Sequence, residues 1–437
     1  MRLIPCRSRS TAIGWLDSML IGLLVASGLI GCDASAPSST EPPAKEELAE
    51  AAGYRTAEEE QKAMLEAIGY LGSTDVRSQV TGVTSFDHDR AYPGLNFFTS
   101  GHAPAAYLMN MEGETIHEWS TSLNEIWPKK KPHPLYKPFF RKAYLYENGD
   151  MLGVWEGRGL IKLDKDSNVL WANPDLIHHD LEVLENGDIW VLSRKARMIP
   201  RLDEEAPILE DFIVLLGSEG KEKARLSLLE AFEKSAAYRD YLVRRPSQAG
   251  DIFHTNTLAV LKGRIGERHP AFAQGNILVS MSSMYVLAVV DPGAQEVVWV
   301  FEKKGLPLHD PKLLDSGNML VLSNLKLTQE TMKVDLRSEV FEYDLDDMSV
   351  VWQYAGTQDQ PFLTTCCGAA QRLTNGNTLI TETTGGRALE VDPDGAIVWE
   401  YLNPHGDVEA EGNLFAIPEM IRLPEDFPIA WANPESS

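Results

Sequence analysis

From about residue 82 the chain alternates short apolar runs with turn residues, and two signals recur along it. The first is a tight turn followed by an apolar strand: Asn148-Gly149-Asp150, Asn186-Gly187-Asp188, Gln274-Gly275-Asn276, Ser316-Gly317-Asn318 and Asn375-Gly376-Asn377. Asn-Gly and Gly-Asn favour the positive φ angles of hairpin turns. The second is an acidic or glycine turn followed by an apolar strand ending in tryptophan, at Trp119, Trp171, Trp299, Trp352 and Trp399. The long interval between Trp171 and Trp299 holds one more candidate, Phe212 to Gly220, without a tryptophan. That makes six units of roughly 45–60 residues, the size of a propeller blade of several short strands. A pair of β-sandwiches is the competing layout. Regular repetition of one turn and one tryptophan favours an all-β, six-bladed β-propeller over residues 82–427.

Two segments break this texture. Residues 44–72 place Leu48, Ala51, Met64, Leu65 and Ile68 among glutamates, which predicts a helix ending at Gly72-Ser73 within an N-terminal helical segment, 44–81. Residues Glu222 to Arg245 carry Leu226, Leu229, Phe232, Ala236 and Leu242 on an approximate helical period, stopped by Pro246. That helical insertion either caps one mouth of the propeller as a lid or is peripheral decoration. The N-terminus reads as an export signal: Arg2, Arg7 and Arg9, then an apolar stretch from Met19 to Ala26, then Leu29-Ile30-Gly31-Cys32. The ending resembles the lipobox of bacterial lipoproteins, which implies removal of residues 1–31 and lipid on Cys32. An uncleaved anchor helix is the alternative. Residues 32–43 follow as a flexible tether rich in Ser, Pro and Ala. The expected location is the bacterial cell envelope, on the periplasmic or outer-surface side.

Charge narrows the partners. The formal net charge of −24 leaves no electrostatic footprint for nucleic acid, and any anion site has to be built locally. Four cysteines are too few for a disulfide scaffold. Cys366 and Cys367 are adjacent, and neighbouring Cα atoms about 3.8 Å apart lie below the usual disulfide range. They read as small packing residues or as a strained vicinal pair.

Counting back eight residues from the glycine of each tight turn gives Arg141, His179, His309 and Gly368. In the remaining blade, matching Leu261 to Leu184 places Asn256 at the equivalent position, with His254 two residues earlier on the same strand face. Equivalent positions in a propeller are related by rotation about its axis, so His179, His254, His309, Asn256 and Arg141 are expected to converge. A single histidine at such a place is ordinarily structural, but three at matched phase are not. Asp180 and Asp310 could hold imidazoles in one tautomer or bind their own turns. Three imidazoles also suit zinc or copper, a weaker reading.

The segments GLNFFTSGHAPAAYLMNMEGETIHEW (94–119), HHDLEVLENGDIWVLSRK (178–195), GDIFHTNTLAVL (250–261), LHDPKLLDSGNMLVLSN (308–324) and GAAQRLTNGNTLITET (368–383) resemble the PAPS-independent aryl-sulfate sulfotransferases. These are six-bladed envelope propellers. The resemblance runs from about Gly82 to Phe427. It implies a ping-pong transfer of sulfuryl from an aryl sulfate to a phenol through a sulfohistidine, with no cofactor. By it His309 looks like the nucleophile, His254 and Asn256 like the family's His-x-Asn pair, and His179 like the earlier channel histidine. Two family arginines appear as Ser282 and Glu339, and Arg141 at matched phase is a candidate replacement. The alternative is a lipid-anchored propeller that binds a ligand or partner without catalysis.

Overall fold

Six four-stranded antiparallel units account for most of the chain. The computed structural model describes residues 73–77, 80–129, 138–244, 250–324, 337–407 and 413–432. The signal segment, the tether, Cys32 and the expected helix at 44–72 lie outside the described residues. Blade 1 joins Met420–Leu423, Leu95–Thr99, Ala105–Met109 and Thr115–Ser120. Blade 2 runs Phe140–Leu145, Met151–Trp155, Gly159–Leu163 and Val169–Asn173. Blade 3 is Ile177–Val183, Ile189–Ile199, Asp203–Leu216 and Glu222–Ser227, with Gly250–Asp251 added in parallel to its third strand. Blades 4 and 5 are Thr255–Val260, Ile277–Met281, Val286–Asp291, Glu296–Glu302, and Leu308–Leu313, Met319–Ser323, Glu339–Tyr343, Val350–Tyr354. Blade 6 is Ala369–Arg372, Thr378–Glu382, Arg387–Val391 and Ile397–Leu402, extended outward by Gly82–Phe86.

The expected all-β six-bladed propeller is therefore the fold. Both ends of the described ring close it. The segment before blade 1 adds a strand to blade 6, and Met420–Leu423 supplies blade 1 with its innermost strand. The glycines of the five tight turns have φ between +83° and +93°, the left-handed region that Gly adopts without steric cost.

The tryptophan repeat has a physical cause in the packing. Indole nitrogens of Trp119, Trp171, Trp352 and Trp399 donate to Gly149, Ser218, Pro393 and Met111 carbonyls at 2.9–3.1 Å, each in a turn of the next blade. Four of the outer strands thus clasp the next blade. Blade 3 lacks the tryptophan, and here the insertion takes over. Ser235 Oγ donates to Val297 O at 2.8 Å, and the Lys234 ammonium donates to Ala294 O. Both acceptors belong to blade 4's outer hairpin. Trp399 is fully buried, whereas the Trp352 clasp is exposed. Trp399→Phe should therefore lower stability by about 2 kcal/mol and Trp352→Phe by less than about 1 kcal/mol, measured by urea unfolding.

Two expectations are corrected. Glu222–Ser227 is not helical but is blade 3's fourth strand, because its residues pair with Phe212 to Leu216. Among the described residues of the insertion, helix is confined to Leu228–Lys234, capped by Ser227, and to Asp240–Val243. This described part of the insert packs into the side wall, with Phe232 stacked on Phe253 at 6.0 Å, so it is not a lid over the axis. Ser73–Arg77, assigned to the N-terminal helical segment, is a strand paired with Asn413–Phe415.

Candidate functional site

The innermost strands share one irregularity. Ladder register shifts between Phe140 and Lys142, His178 and Leu181, Thr255 and Thr257, and His309 and Lys312. These breaks fall at one phase of blades 2 to 5, and bulges of this kind re-aim side chains. His179, His254, Asp310 and Cys367 have positive φ without being glycine, a costly backbone state that clusters at this end of the axis. Pro311 is tolerated in an inner strand because it sits in the bulge.

The sequence-predicted residues come together. The rings of His179 and His254 are 5.2 Å apart, edge to face. His309 is buried and lies close enough to Arg141 and His254 for their charges to act on it. Burial, then Arg141 and His254, pushes the His309 imidazole well below the usual histidine range. Burial and then Arg141 do the same to His179, and burial and then Arg194 to His178. All three imidazoles are therefore neutral at pH 7. The sign for stability follows from linkage. Below pH 6.5 the unfolded chain binds protons that the folded cluster refuses, so stability falls as pH drops through that point. The urea midpoint should decrease from pH 7 to pH 5, and Asn at positions 178, 179 and 309 together should flatten the profile.

Asp180 and Asp310 do not hold imidazoles. Asp180 Oδ2 accepts from Leu258 N at 3.0 Å and Asp310 Oδ2 from Ala370 N at 2.8 Å, each stapling its blade to the next. The carboxylate that orients an imidazole is Asp251, 2.8 Å from His254 Nδ1. Asn256 is fully engaged: its amide nitrogen donates to Ser282 Oγ and Leu308 O, and its oxygen accepts from Thr257 Oγ1 at 2.8 Å. Glu339 lies on blade 5's third strand and accepts from Gln353 Nε2 at 2.8 Å.

Three groups escaped the sequence reading. His178 sits next to His179, with their Nδ1 atoms 2.8 Å apart. Arg194, 2% exposed, reaches the same cluster with Nη2 3.7 Å from Glu156. Asp211 accepts from Thr255 N at 2.9 Å, and burial followed by the charge of Asp251 pushes its carboxyl up to about 7. Counting seven residues forward from each turn glycine would have shown one of them, Arg194, since this gives Glu156, Arg194, Ser282 and Asn324. The guanidinium missing at Ser282 is thus present one blade earlier.

The inner strands of the six blades enclose a cavity of about 1000 Å³ whose polar lining includes Lys142, Asp180, Asp310, Lys312 and Glu419, but His178, His179, His254, His309 and Arg141 do not line it. Lys142 pairs with Asp180 at 3.0 Å and Glu419 at 2.8 Å, and Lys312 with Asp310 at 2.7 Å. Among the described residues no three His, Cys, Asp or Glu side chains are grouped as metal ligands.

These features define a class, a six-bladed β-propeller with a buried cluster of neutral imidazoles and guanidinium groups on its axis. The arylsulfotransferase (ASST) family matches residues 142–404, more than half the chain, and the chain belongs to that family. Membership points to a sulfotransferase-type activity on small aryl substrates. Among solved structures the chain is similar to a protein of unknown function from Bacteroides caccae, at 13% identity and a TM-score of 0.45 over 75% of this chain and 98% of that one. It is also similar to a streptogramin B lyase (13%, 0.41, 81% and 98%) and to the Dos1 propeller (13%, 0.39, 75% and 81%). No curated protein matches the chain.

Proposed function

We propose that the protein moves a sulfuryl group from an aryl sulfate to a phenolic acceptor, with His309 as the covalent carrier. The observation that carries this reading is the state of His309: buried, neutral, with no hydrogen-bond partner on Nδ1 among the described residues, and within reach of the Arg141 charge. In the first half-reaction an imidazole lone pair attacks sulfur, the sulfur–oxygen bond to the ring breaks, and the phenolate leaves with the electron pair. Arg141, whose Nη1 also lacks a partner among the described residues, would hold the sulfuryl oxygens as charge builds on them. Arg194 adds a second positive charge.

In the second half-reaction the acceptor phenol attacks sulfur and the sulfur–nitrogen bond breaks. His254, the most exposed of the cluster at 17% of its side chain and oriented by Asp251, is placed to take the acceptor's proton. His178 and His179 belong to the same buried cluster. In this reading residues 1–31 direct export, and lipid on Cys32 anchors the propeller to a membrane of the bacterial envelope. The basic start and the Leu29-Ile30-Gly31-Cys32 ending support that placement.

Incubating the purified protein with a chromogenic aryl sulfate and a phenol should yield the sulfated phenol. One observation favours a second reading, a lipid-anchored propeller that binds without catalysis. Asn256 and Ser282 are bonded to each other rather than presented to a ligand. Tight binding of the aryl sulfate without its consumption would select that reading.

A further inference from the structure

The thiols of Cys366 and Cys367 stand at the same end of the axis, and the mechanism above does not use them. Their sulfur atoms are 2.9 Å apart, too far for a bond and too close for indifferent packing. The backbone is built to hold them there. Cys367 has φ of +65°, and Asn324 Nδ2 donates to the Cys367 carbonyl at 2.8 Å and to Thr364 O at the same distance. Thr364 Oγ1 donates to the Cys366 carbonyl at 2.6 Å. Cys367 is buried at 3% exposure, whereas Cys366 is partly open. Cys367 also lies close enough to Arg141 for the guanidinium charge to act on its thiol. Burial raises the Cys367 thiol, but the Cys366 thiol and the Arg141 guanidinium outweigh it and bring it to about 6.

We infer that Cys366 and Cys367 form a reversible dithiol–disulfide site that controls whether Arg141 is free to bind an oxyanion. This rests on the reading of Arg141 as the sulfuryl-binding cation. In the reduced state the Cys367 thiolate is the counter-ion of Arg141 and competes with any incoming anion. The oxidant is a small hydroperoxide. The Cys367 thiolate attacks one peroxide oxygen, the O–O bond breaks, and hydroxide leaves, giving a sulfenic acid. The Cys366 sulfur then attacks the Cys367 sulfur and the second oxygen leaves as water. Two thiols lose two electrons, and one hydrogen peroxide becomes two waters. The disulfide carries no charge, so Arg141 loses the nearer of its two internal anions and keeps only Glu156. Closing a bond between adjacent residues departs from ordinary disulfide spacing, and such bonds are the readily reduced, regulatory kind.

The test uses the full chain, treated with equimolar hydrogen peroxide or with dithiothreitol. The tryptic peptide ending at Arg372 contains both cysteines. It should lose 2 Da on oxidation, about the mass of two hydrogen atoms, and regain it on reduction. Inorganic sulfate, titrated calorimetrically, should bind the oxidised protein about tenfold more tightly than the reduced protein at low ionic strength. Cys366→Ser keeps the Cys367 thiolate but cannot close the bond. It should gain 16 Da, one oxygen, instead of losing two hydrogens, and should keep the weaker affinity. No mass loss in the folded wild type, or equal sulfate affinity in the two states, would overturn the inference. Redox-dependent sulfate binding without aryl sulfate turnover would leave it standing and remove the sulfotransferase reading instead.

Discussion

His309→Ala protein will be folded and unable to transfer sulfuryl groups. The loss in kcat should be at least about a thousandfold, the scale expected when a covalent nucleophile is removed from a site whose binding groups remain. Two ring nitrogens of the cluster have no partner among the described residues, His309 Nδ1 and His178 Nε2, and of these two rings it is His309 that the Arg141 charge acts on. His178 and His179 face each other Nδ1 to Nδ1 at 2.8 Å, and His254 Nδ1 is held by Asp251. His309 Nδ1 has no partner among the described residues, and burial beside Arg141 keeps the ring unprotonated. Release of the chromogenic phenol measures the loss. Mass spectrometry of acid-sensitive sulfation on the peptide containing His309 checks the cause, because the wild-type protein should accumulate it when donor is supplied without acceptor. Full activity in His309→Ala, or sulfation on a different histidine, rejects the mechanism. Urea unfolding should move little, since this ring packs under no clasp and its removal relieves a buried polar group.

The fold was legible because blades repeat. The same turn glycines and the same outer-strand tryptophans return because each blade has to solve the same two problems, a hairpin with positive φ and a bond to its neighbour. Where one blade found another solution, legibility failed. Blade 3 clasps blade 4 through Ser235 and Lys234, so it needed no tryptophan, and its fourth strand was read as the start of a helix. Leu226, Leu229 and Phe232 do share one buried cluster, but a strand followed by a capped helix places them there as well as one helix would.

The site was legible to the extent that phase carries geometry. Counting from the turns found Arg141, His179 and His309 because inner strands have nearly constant length. It missed His178 because blade 3 carries one more residue at its bulge. Ladder pairing makes His178 the counterpart of His309, since Ile177 faces Ser193 and Leu308 faces Ser323. The order of His before Asp makes His179 the counterpart instead. Both imidazoles therefore occupy what is a single position in the other blades. Asn256 shows the opposite error: its position was read, but its bonding was not, because neighbours from Ser282 and Leu308 are invisible in sequence.

Arg422→Ala will destabilise the whole ring rather than one blade. Arg422 lies on the strand that closes blade 1, and its side chain is fully buried. Its Nε donates to Asn96 Oδ1 at 2.7 Å and its Nη1 to Glu390 Oε2 at 2.9 Å, with a further bond to the Tyr92 carbonyl. Glu390 in turn accepts from Tyr92 N at 2.7 Å and Asn377 Nδ2 at 2.6 Å. One guanidinium thus joins the closing strand to blade 1, to blade 6 and to the segment between them. Removing it leaves the Glu390 carboxylate buried without its cation, a change that costs about 3–5 kcal/mol. The urea midpoint should fall accordingly, and amide exchange should speed up first in Met420–Leu423 and then in Leu95–Thr99, whose ladder depends on it. Arg422→Ala combined with Glu390→Leu should recover part of the loss, because the unpaired charge is gone. Additive losses in that double variant would mean that packing, not charge pairing, holds the closure.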